Sequence, residues 1–343
     1  MQKPKILICL SSNRWGGGER HVFDLCSGLG DEIEFELMVQ GGGILEKKTV
    51  ALNIPVWTHD FNQGLSPLKY FNQVRWLQEQ NYDGIHCHLH QASRYISLMR
   101  PFLNPKIIAT VHGISTSLYY LCANHLIVVS NAVLDSLWPG LAHKSTQIYN
   151  GVEAVLPTVQ KAMGLPQSYI FATVHRNKGQ AFVLDALKDQ SLKTSLTLVG
   201  EGHPENMREL ERLHAGLRAS DSVTLVFLTG DLGPYWKNAA FIVIPSYQEA
   251  LSYVALEALA RGIPVLASAT GGLKEVVTEG FDGLFFEPGN VRSFQKNYME
   301  METAFSRLAK NLEAMPFLNR RPEFRIKTMI EKTRKVYQQI FAL

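Results

Sequence analysis

The chain has 343 residues, more than one compact core usually holds, so two domains of ordinary size are expected. Hydrophobic residues at 46% and charged residues at 19% exclude a disordered or collagen-like chain. A formal charge of +3 without a dense Lys/Arg block excludes a nucleic-acid partner and allows only weak attraction to an anionic surface.

From the N-terminus, Lys5–Leu10 reads as a strand, too short for the apolar core of a signal peptide. No eighteen apolar residues follow one another, so neither secretion nor a membrane span is expected, and the expected location is cytoplasmic. Gly16, Gly17 and Gly18 come next and open a helical pattern over Glu19–Leu29. Further strands are expected near Phe35–Val39, Gly84–His88, Lys106–Val111 and His125–Val129, with a helix over Pro67–Gln80. That helix mixes Leu68, Phe71, Val74, Trp76 and Leu77 with Lys69 and Arg75. It suits either packing on its own sheet or peripheral contact with a membrane interface. The four cysteines, Cys9, Cys26, Cys87 and Cys122, form no CxxC pair and read as reduced, buried thiols.

A connection is expected from Asn150-Gly151 to about Gln167, after which the scheme repeats. Strands are expected near Tyr169–Val174, Ser195–Val199, Val223–Leu228, Phe241–Pro245 and Pro264–Ala267. Helices are expected near Gln180–Leu187, Glu205–Leu213, Tyr253–Ala260 and Leu273–Thr278. Strands alternating with helices predict parallel, doubly wound sheets, and two such halves should leave a cleft between their carboxyl edges. The last segment, Phe324–Ala342, reads as a polar helix with an apolar stripe through Ile326, Met329, Ile330, Val336, Tyr337 and Ile340.

The segment Pro245–Val265 holds the densest chemical signal. Glu249 lies in a loop, and Glu257 is the only acid within an apolar helix carrying Val254, Leu256 and Leu259. A carboxylate placed there needs a partner, which ribose hydroxyls could supply; a helix-surface Glu is the other reading. Arg176 and Lys178 follow a strand end, where two cations could stabilise a departing diphosphate; Arg176 could equally be a solvated surface charge. The Gly16–Gly18 turn either approaches a ligand closely or is only a mobile turn, and it is not a GxGxxG fingerprint. His112 ends a strand, as a site residue or a satisfied structural histidine. His86-Cys87-His88-Leu89-His90 alternates at strand period and imitates a metal site, but no second cluster completes it, so no metal is expected. No Asp-x-Asp pair for a divalent ion occurs.

The spacing from Glu249 to Glu257 resembles the Glu-x7-Glu signature of the retaining GT-B glycosyltransferases of family GT4. Gly16-Gly17-Gly18-Glu19, Thr110-Val111-His112-Gly113, Val129-Ser130, Asn150-Gly151-Val152, Lys178-Gly179, Val199-Gly200-Glu201-Gly202 and Gly271-Gly272-Leu273-Lys274-Glu275 extend the likeness over nearly the whole chain. The resemblance implies an α/β, GT-B architecture of two Rossmann-like doubly wound domains facing across a cleft. Residues 1–155 would form the acceptor-side domain, with 324–343 crossing back to it, and 156–323 the nucleotide-sugar domain. It implies a metal-independent hexosyltransferase that uses a nucleotide sugar as substrate, UDP-linked in preference to GDP-linked, and no separate cofactor. The implied acceptor is a glycan, glycolipid or surface-polysaccharide precursor.

By the same resemblance, Glu257 would bind the donor ribose, while Glu249 would lie near the transferred sugar and phosphate. The backbone of Ala250, Leu251 and Ser252 would cover phosphate and sugar. His112 would contact the transferred sugar, and Arg176 and Lys178 the diphosphate, although their loop is shorter than the family's. Gly17, Gly18, Gly200 and Gly202 would border the donor, and Gly16 and His88 the acceptor. Two other readings share the architecture: a nucleotide-sugar epimerase, and a catalytically silent GT-B module that partners an active transferase.

Overall fold

The computed structural model describes residues 3–61, 66–114, 117–155, 165–218, 220–228 and 231–341. The chain divides into two units, Met1–Gly151 with Glu323–Leu343, and Val152–Pro322. Half of the expected connection, residues 156–164, lies outside the described residues.

The first unit holds β1 (Lys5–Leu10), β2 (Glu34–Val39), β3 (Val56–Thr58), β4 (Gly84–His88), β5 (Lys106–Val111), β6 (His125–Val128) and β7 (Ser145–Gln147). They form one sheet in the order β3-β2-β1-β4-β5-β6-β7, every pair parallel. The second unit holds β8 (Gln167–Phe171), β9 (Ser195–Val199), β10 (Val223–Val226), β11 (Ala239–Ile244), β12 (Val265–Ser268) and β13 (Gly283–Phe286). Their order is β10-β9-β8-β11-β12-β13, again all parallel. Each sheet therefore reverses its winding once, between β1 and β4 and between β8 and β11. Doubly wound sheets place ligands outside the carboxyl ends of strands at such a reversal.

The central strands are continuous apolar runs because helices cover both faces, and Ile6–Leu10 are completely buried. The chain's final helix, Ile326–Phe341, belongs to the first unit and packs on helix Gly17–Leu29. It buries Met329, Val336, Tyr337 and Phe341, each contributing about 1.5–3 kcal/mol of apolar transfer energy. The contact is close: a Cβ on Gly28 would lie 2.2 Å from Ile330, and one on Gly151 would lie 2.4 Å from the Ile326 backbone.

One expectation is narrowed and two need correction. Helix Pro67–Glu79 turns Val74 and Leu77 into the core and sets Trp76 against Trp57, so only Leu68 and Phe71 of its large apolar residues stand exposed. Cys122 ends a short helical turn and is exposed, whereas Cys9, Cys26 and Cys87 are buried. The alternation from His86 to His90 stops at His88. Leu89 takes φ 68° and ψ 162°, and His90 starts a new helix with its side chain exposed. The strand period therefore cannot place three imidazoles on one face.

Candidate functional site

In the first unit, polar groups gather where β1, β4 and β5 end. The loop after β1 reaches Gly16, whose N–H donates to Glu19 Oε2 at 3.0 Å, closing the start of helix Gly17–Leu29. Gly16 and Gly17 are open to solvent, whereas Gly18 packs on Leu89 and Leu10. Its missing side chain therefore serves packing. Leu89 holds a backbone region nearly restricted to glycine, a strain found at sites that the surrounding structure over-determines. Glu19 is 3% exposed, and burial raises its carboxyl above the usual range against hydrogen bonds that lower it.

Four imidazoles converge behind this loop. His88 Nδ1 and His112 Nε2 share a hydrogen bond of 2.9 Å. His86 lies between Thr110 Oγ1 at 2.7 Å and the Tyr337 hydroxyl at 2.6 Å, the latter reaching in from the final helix. His21 bonds Asn150 Oδ1 at 3.0 Å and stands edge-on to His112, with ring centroids 5.0 Å apart. His21, His86 and His88 are completely buried. Burial pulls His21 down to about 4, and pulls His86, His88 and His112 well below the usual imidazole value, with neighbouring imidazoles adding to the effect. All four are therefore neutral near pH 7. Among the described residues, no group of three or more His, Cys, Asp and Glu is arranged to hold a metal ion. His88 is fully enclosed and reaches solvent nowhere, whereas its partner His112 is half-buried. His21 and Tyr337 carry no local sequence signal, because their partners lie 129 and 251 residues away.

In the second unit, Lys178 follows β8 and Glu249 follows β11, so they flank the sheet's reversal. Lys178 Nζ meets Glu249 Oε2 at 2.8 Å, and Ser246 Oγ donates to the same oxygen at 3.0 Å. The two loops are tied by Tyr247 N to Asn177 O at 2.9 Å and by Asn177 Nδ2 to Gln248 O at 3.2 Å. Gly179 sits at φ 73°, and a Cβ there would lie 2.1 Å from Pro245 O. Both the backbone angle and the space demand glycine. Gly179→Ala should thus cost at least about 2 kcal/mol, combining left-handed strain with the clash. Denaturant melts of the two proteins check this; equal midpoints would show that the loops part without cost.

Glycine has a similar steric role after β9. Cβ atoms on Gly200 and Gly202 would lie 1.9 Å from Ala172 O and 2.2 Å from Val174 O. Their bareness is used by the neighbouring loop, whatever else passes nearby. Gly271, at φ 45°, and Gly272 back the Glu249 loop, and Gly272 N donates to Glu249 O at 2.9 Å. Ala250, Leu251 and Ser252 are buried at the entry to the next helix. Ser252 Oγ accepts from Ala255 N and caps helix Tyr253–Ala260. Glu257 is half-buried in that helix, whose end is held by Arg261: its Nη1 donates to Glu257 O at 2.9 Å, and its guanidinium lies 4.7 Å from the Trp236 ring centre. The Arg176 side chain is exposed and makes no hydrogen bond or ion pair among the described residues, while its carbonyl accepts from Gly179 N at 3.2 Å.

The sequence model of Glycosyltransferase Family 4 matches residues 15–155, and that of Glycosyl transferases group 1 matches residues 167–302. An uncharacterized glycosyltransferase of Methanocaldococcus jannaschii is 27% identical over 186 residues, covering 52% of this chain and 50% of that protein. A D-inositol 3-phosphate glycosyltransferase of Geodermatophilus obscurus is 38% identical over 108 residues, covering 29% of this chain and 24% of that one. The chain thus spans half or less of the length of these relatives. A glycosyltransferase structure from Rickettsia africae superposes with a TM-score of 0.83 at 19% identity, covering 99% of both chains. HepE of Anabaena in complex with UDP-glucose gives 0.82 at 20% identity, covering 98% of this chain and 99% of that one. These similarities show the GT-B fold.

Proposed function

From a chain that is GT-B in fold and GT4-like, group 1, along both halves, we propose a glycosyltransferase that moves a hexose from a nucleoside diphosphate sugar to a hydroxyl-bearing acceptor. The observation that carries the reading is the Lys178–Glu249–Ser246 group at the reversal of the second sheet. Lys178 is a point charge for the diphosphate, whose oxygens gain negative charge as the glycosidic bond breaks. The backbone at the start of helix Tyr253–Ala260 adds N–H donors, less the one that Ser252 already satisfies. Glu257 takes the ribose hydroxyls, and Glu249 acts near the breaking bond. Arg176, exposed and uncommitted, has the reach of a second cation for the diphosphate.

The anomeric configuration is retained in this reading. The acceptor hydroxyl attacks from the face that the diphosphate leaves, and a phosphate oxygen takes its proton. The protein supplies position and leaving-group stabilisation. A uridine diphosphate donor is preferred, in keeping with the UDP-glucose bound by the similar HepE. Purified protein offered UDP-, GDP-, ADP- and CMP-sugars in the presence of EDTA should turn over one donor at an undiminished rate. Epimerised donor would establish the epimerase reading. Turnover with none of them would establish the silent module, and loss with EDTA restored by Mn²⁺ would overturn the metal-independent diphosphate site.

The acceptor is a glycan or glycolipid precursor, reached at an anionic membrane surface. Leu68 is 71% exposed and Phe71 61%; Tyr70 joins Phe71 to Phe102, and its hydroxyl bonds Leu98 O. From Gly84 to Leu134 the sequence holds Arg94, Arg100 and Lys106 and not one Asp or Glu. Cations beside exposed apolar side chains favour an anionic interface. Vesicles rich in anionic lipid should carry the protein upward in flotation at low salt. Leu68→Ser with Phe71→Ser should leave it at the bottom; absence of binding by the parent chain would end the idea.

A further inference from the structure

Near the carboxyl edge of the first sheet, the imidazole cluster carries information about hydrogen positions. His88 Nε2 is enclosed and has no hydrogen-bond partner, and the same holds for His21 Nε2. His88 Nδ1 and His112 Nε2 are 2.9 Å apart, so one proton lies between them. His112 is half-buried, and its Nδ1 makes no hydrogen bond among the described residues.

Two neutral arrangements fit that bond. In one, His112 donates from Nε2, which forces the His88 proton onto Nε2, where it is buried without an acceptor. In the other, His88 donates from Nδ1, and its enclosed Nε2 is only a lone pair. Buried N–H groups without partners are rarer than under-used acceptors, because the donor forfeits its only bond. The second arrangement is therefore the stable one. It leaves His112 accepting at Nε2 and carrying its own proton on Nδ1.

We propose that His88 is a positioning residue that fixes His112 as an Nδ1–H donor, aimed at a hydroxyl or phosphate oxygen of the substrate, so that His112 does not serve as a base. The surroundings hold this arrangement in place. His86, 4.1 Å from His88 between ring centres, is itself fixed by Thr110 and Tyr337. His21 is tied to Asn150, so its Nδ1 is the donor and its Nε2 another lone pair. No second proton is offered to His88 from either side. A neutral donor lends partial positive charge where charge develops, without the cost of burying a cation. That His112 meets substrate rests on the glycosyltransferase reading; the tautomer itself does not.

The test is ring-nitrogen NMR on the whole protein labelled with ¹⁵N-histidine, beside kinetics of the variants. His112 should show a protonated Nδ1 and a lone-pair Nε2 at pH 7. His88→Asn, whose amide N–H stands near the place of Nδ1–H, should keep that pattern and hold kcat within roughly threefold of the parent. His88→Leu should shift the His112 proton toward Nε2 and lower kcat by at least about tenfold, with KM for the donor changed less. A parent protein with His112 protonated at Nε2 overturns the proposal without any assay of transfer. An unchanged tautomer in a folded His88→Leu protein does so too. The expected tautomers in a protein that transfers no sugar would leave the positioning role of His88 intact and refute the transferase reading.

Discussion

Glu249→Gln should lower turnover by about two orders of magnitude or more, while nucleoside diphosphate affinity stays within about threefold of the parent value. The carboxylate accepts from Lys178 Nζ at 2.8 Å and from Ser246 Oγ at 3.0 Å, with its side chain 12% exposed and that of Lys178 32%. An amide with its oxygen in the place of Oε2 can keep both hydrogen bonds but removes the charge that shares Lys178 with the diphosphate. Binding of the bare nucleotide then loses little, since Lys178 turns wholly to phosphate. The transition state loses a group held where charge is redistributed. Glu257→Gln should behave in the opposite way. Loss of charge-assisted bonds to ribose typically costs about 1.5–3 kcal/mol, a tenfold or greater weakening of donor and product alike. Calorimetry with the nucleotide and steady-state kinetics of both variants separate the two roles. A reversed pattern would exchange the assignments, and two unimpaired variants would leave both acids structural.

The parts of the fold that were legible in the sequence are those that local burial dictates. Ile6–Leu10, Ile107–Val111 and Phe241–Ile244 belong to central strands, covered on both faces, and their apolar runs announce them. The three-residue strands β3 and β7 lie at the sheet edges, where Val56-Trp57-Thr58 and Ser145-Thr146-Gln147 carry too little pattern to stand out. Strand β13 and helix Val291–Ala314 were not anticipated. Yet Phe294, Tyr298, Met301, Leu308 and Leu312 are buried at helical spacing, so the helix's signal was present among its many polar residues. Glu249 and Lys178 could each be singled out, but their contact joins residues 71 apart and depends on strand order. The histidine cluster is the stronger case. Strand period pairs His86 with His88, while His21 and His112 enter from other segments, and Leu89 diverts His90.

That cluster should make stability fall steeply as pH drops below 6.5. Each of the four imidazoles has a folded-state pKa below its unfolded value near 6.5, so the unfolded chain binds more protons at pH 5. The sign is therefore that stability is fully present above pH 6.5 and is lost as pH falls toward the folded values, about 4 for His21. His21 alone accounts for roughly 3 kcal/mol over that window, and each group contributes up to ~1.4 kcal/mol per pH unit. Glu19 in the same unit opposes this, since its raised pKa favours the folded state as pH falls, but it is one group against four. The rings also do not titrate alone: a proton on any one charges a buried group packed against its neighbours. Protonation is thus expected to open the cluster together, with proton uptake concentrated in the unfolding step. Trp15, Trp57, Trp76 and Trp138 all lie in the first unit, so tryptophan emission reports mainly on it. Urea titrations from pH 7.5 to 5 should give falling midpoints, with a steeper loss below 6.5 than above it. His21→Gln should reduce the pH slope by about one proton. A flat midpoint between pH 6.5 and 5 would mean that the imidazoles accept charge in the folded chain, and the neutral cluster on which the donor role of His112 depends would not exist.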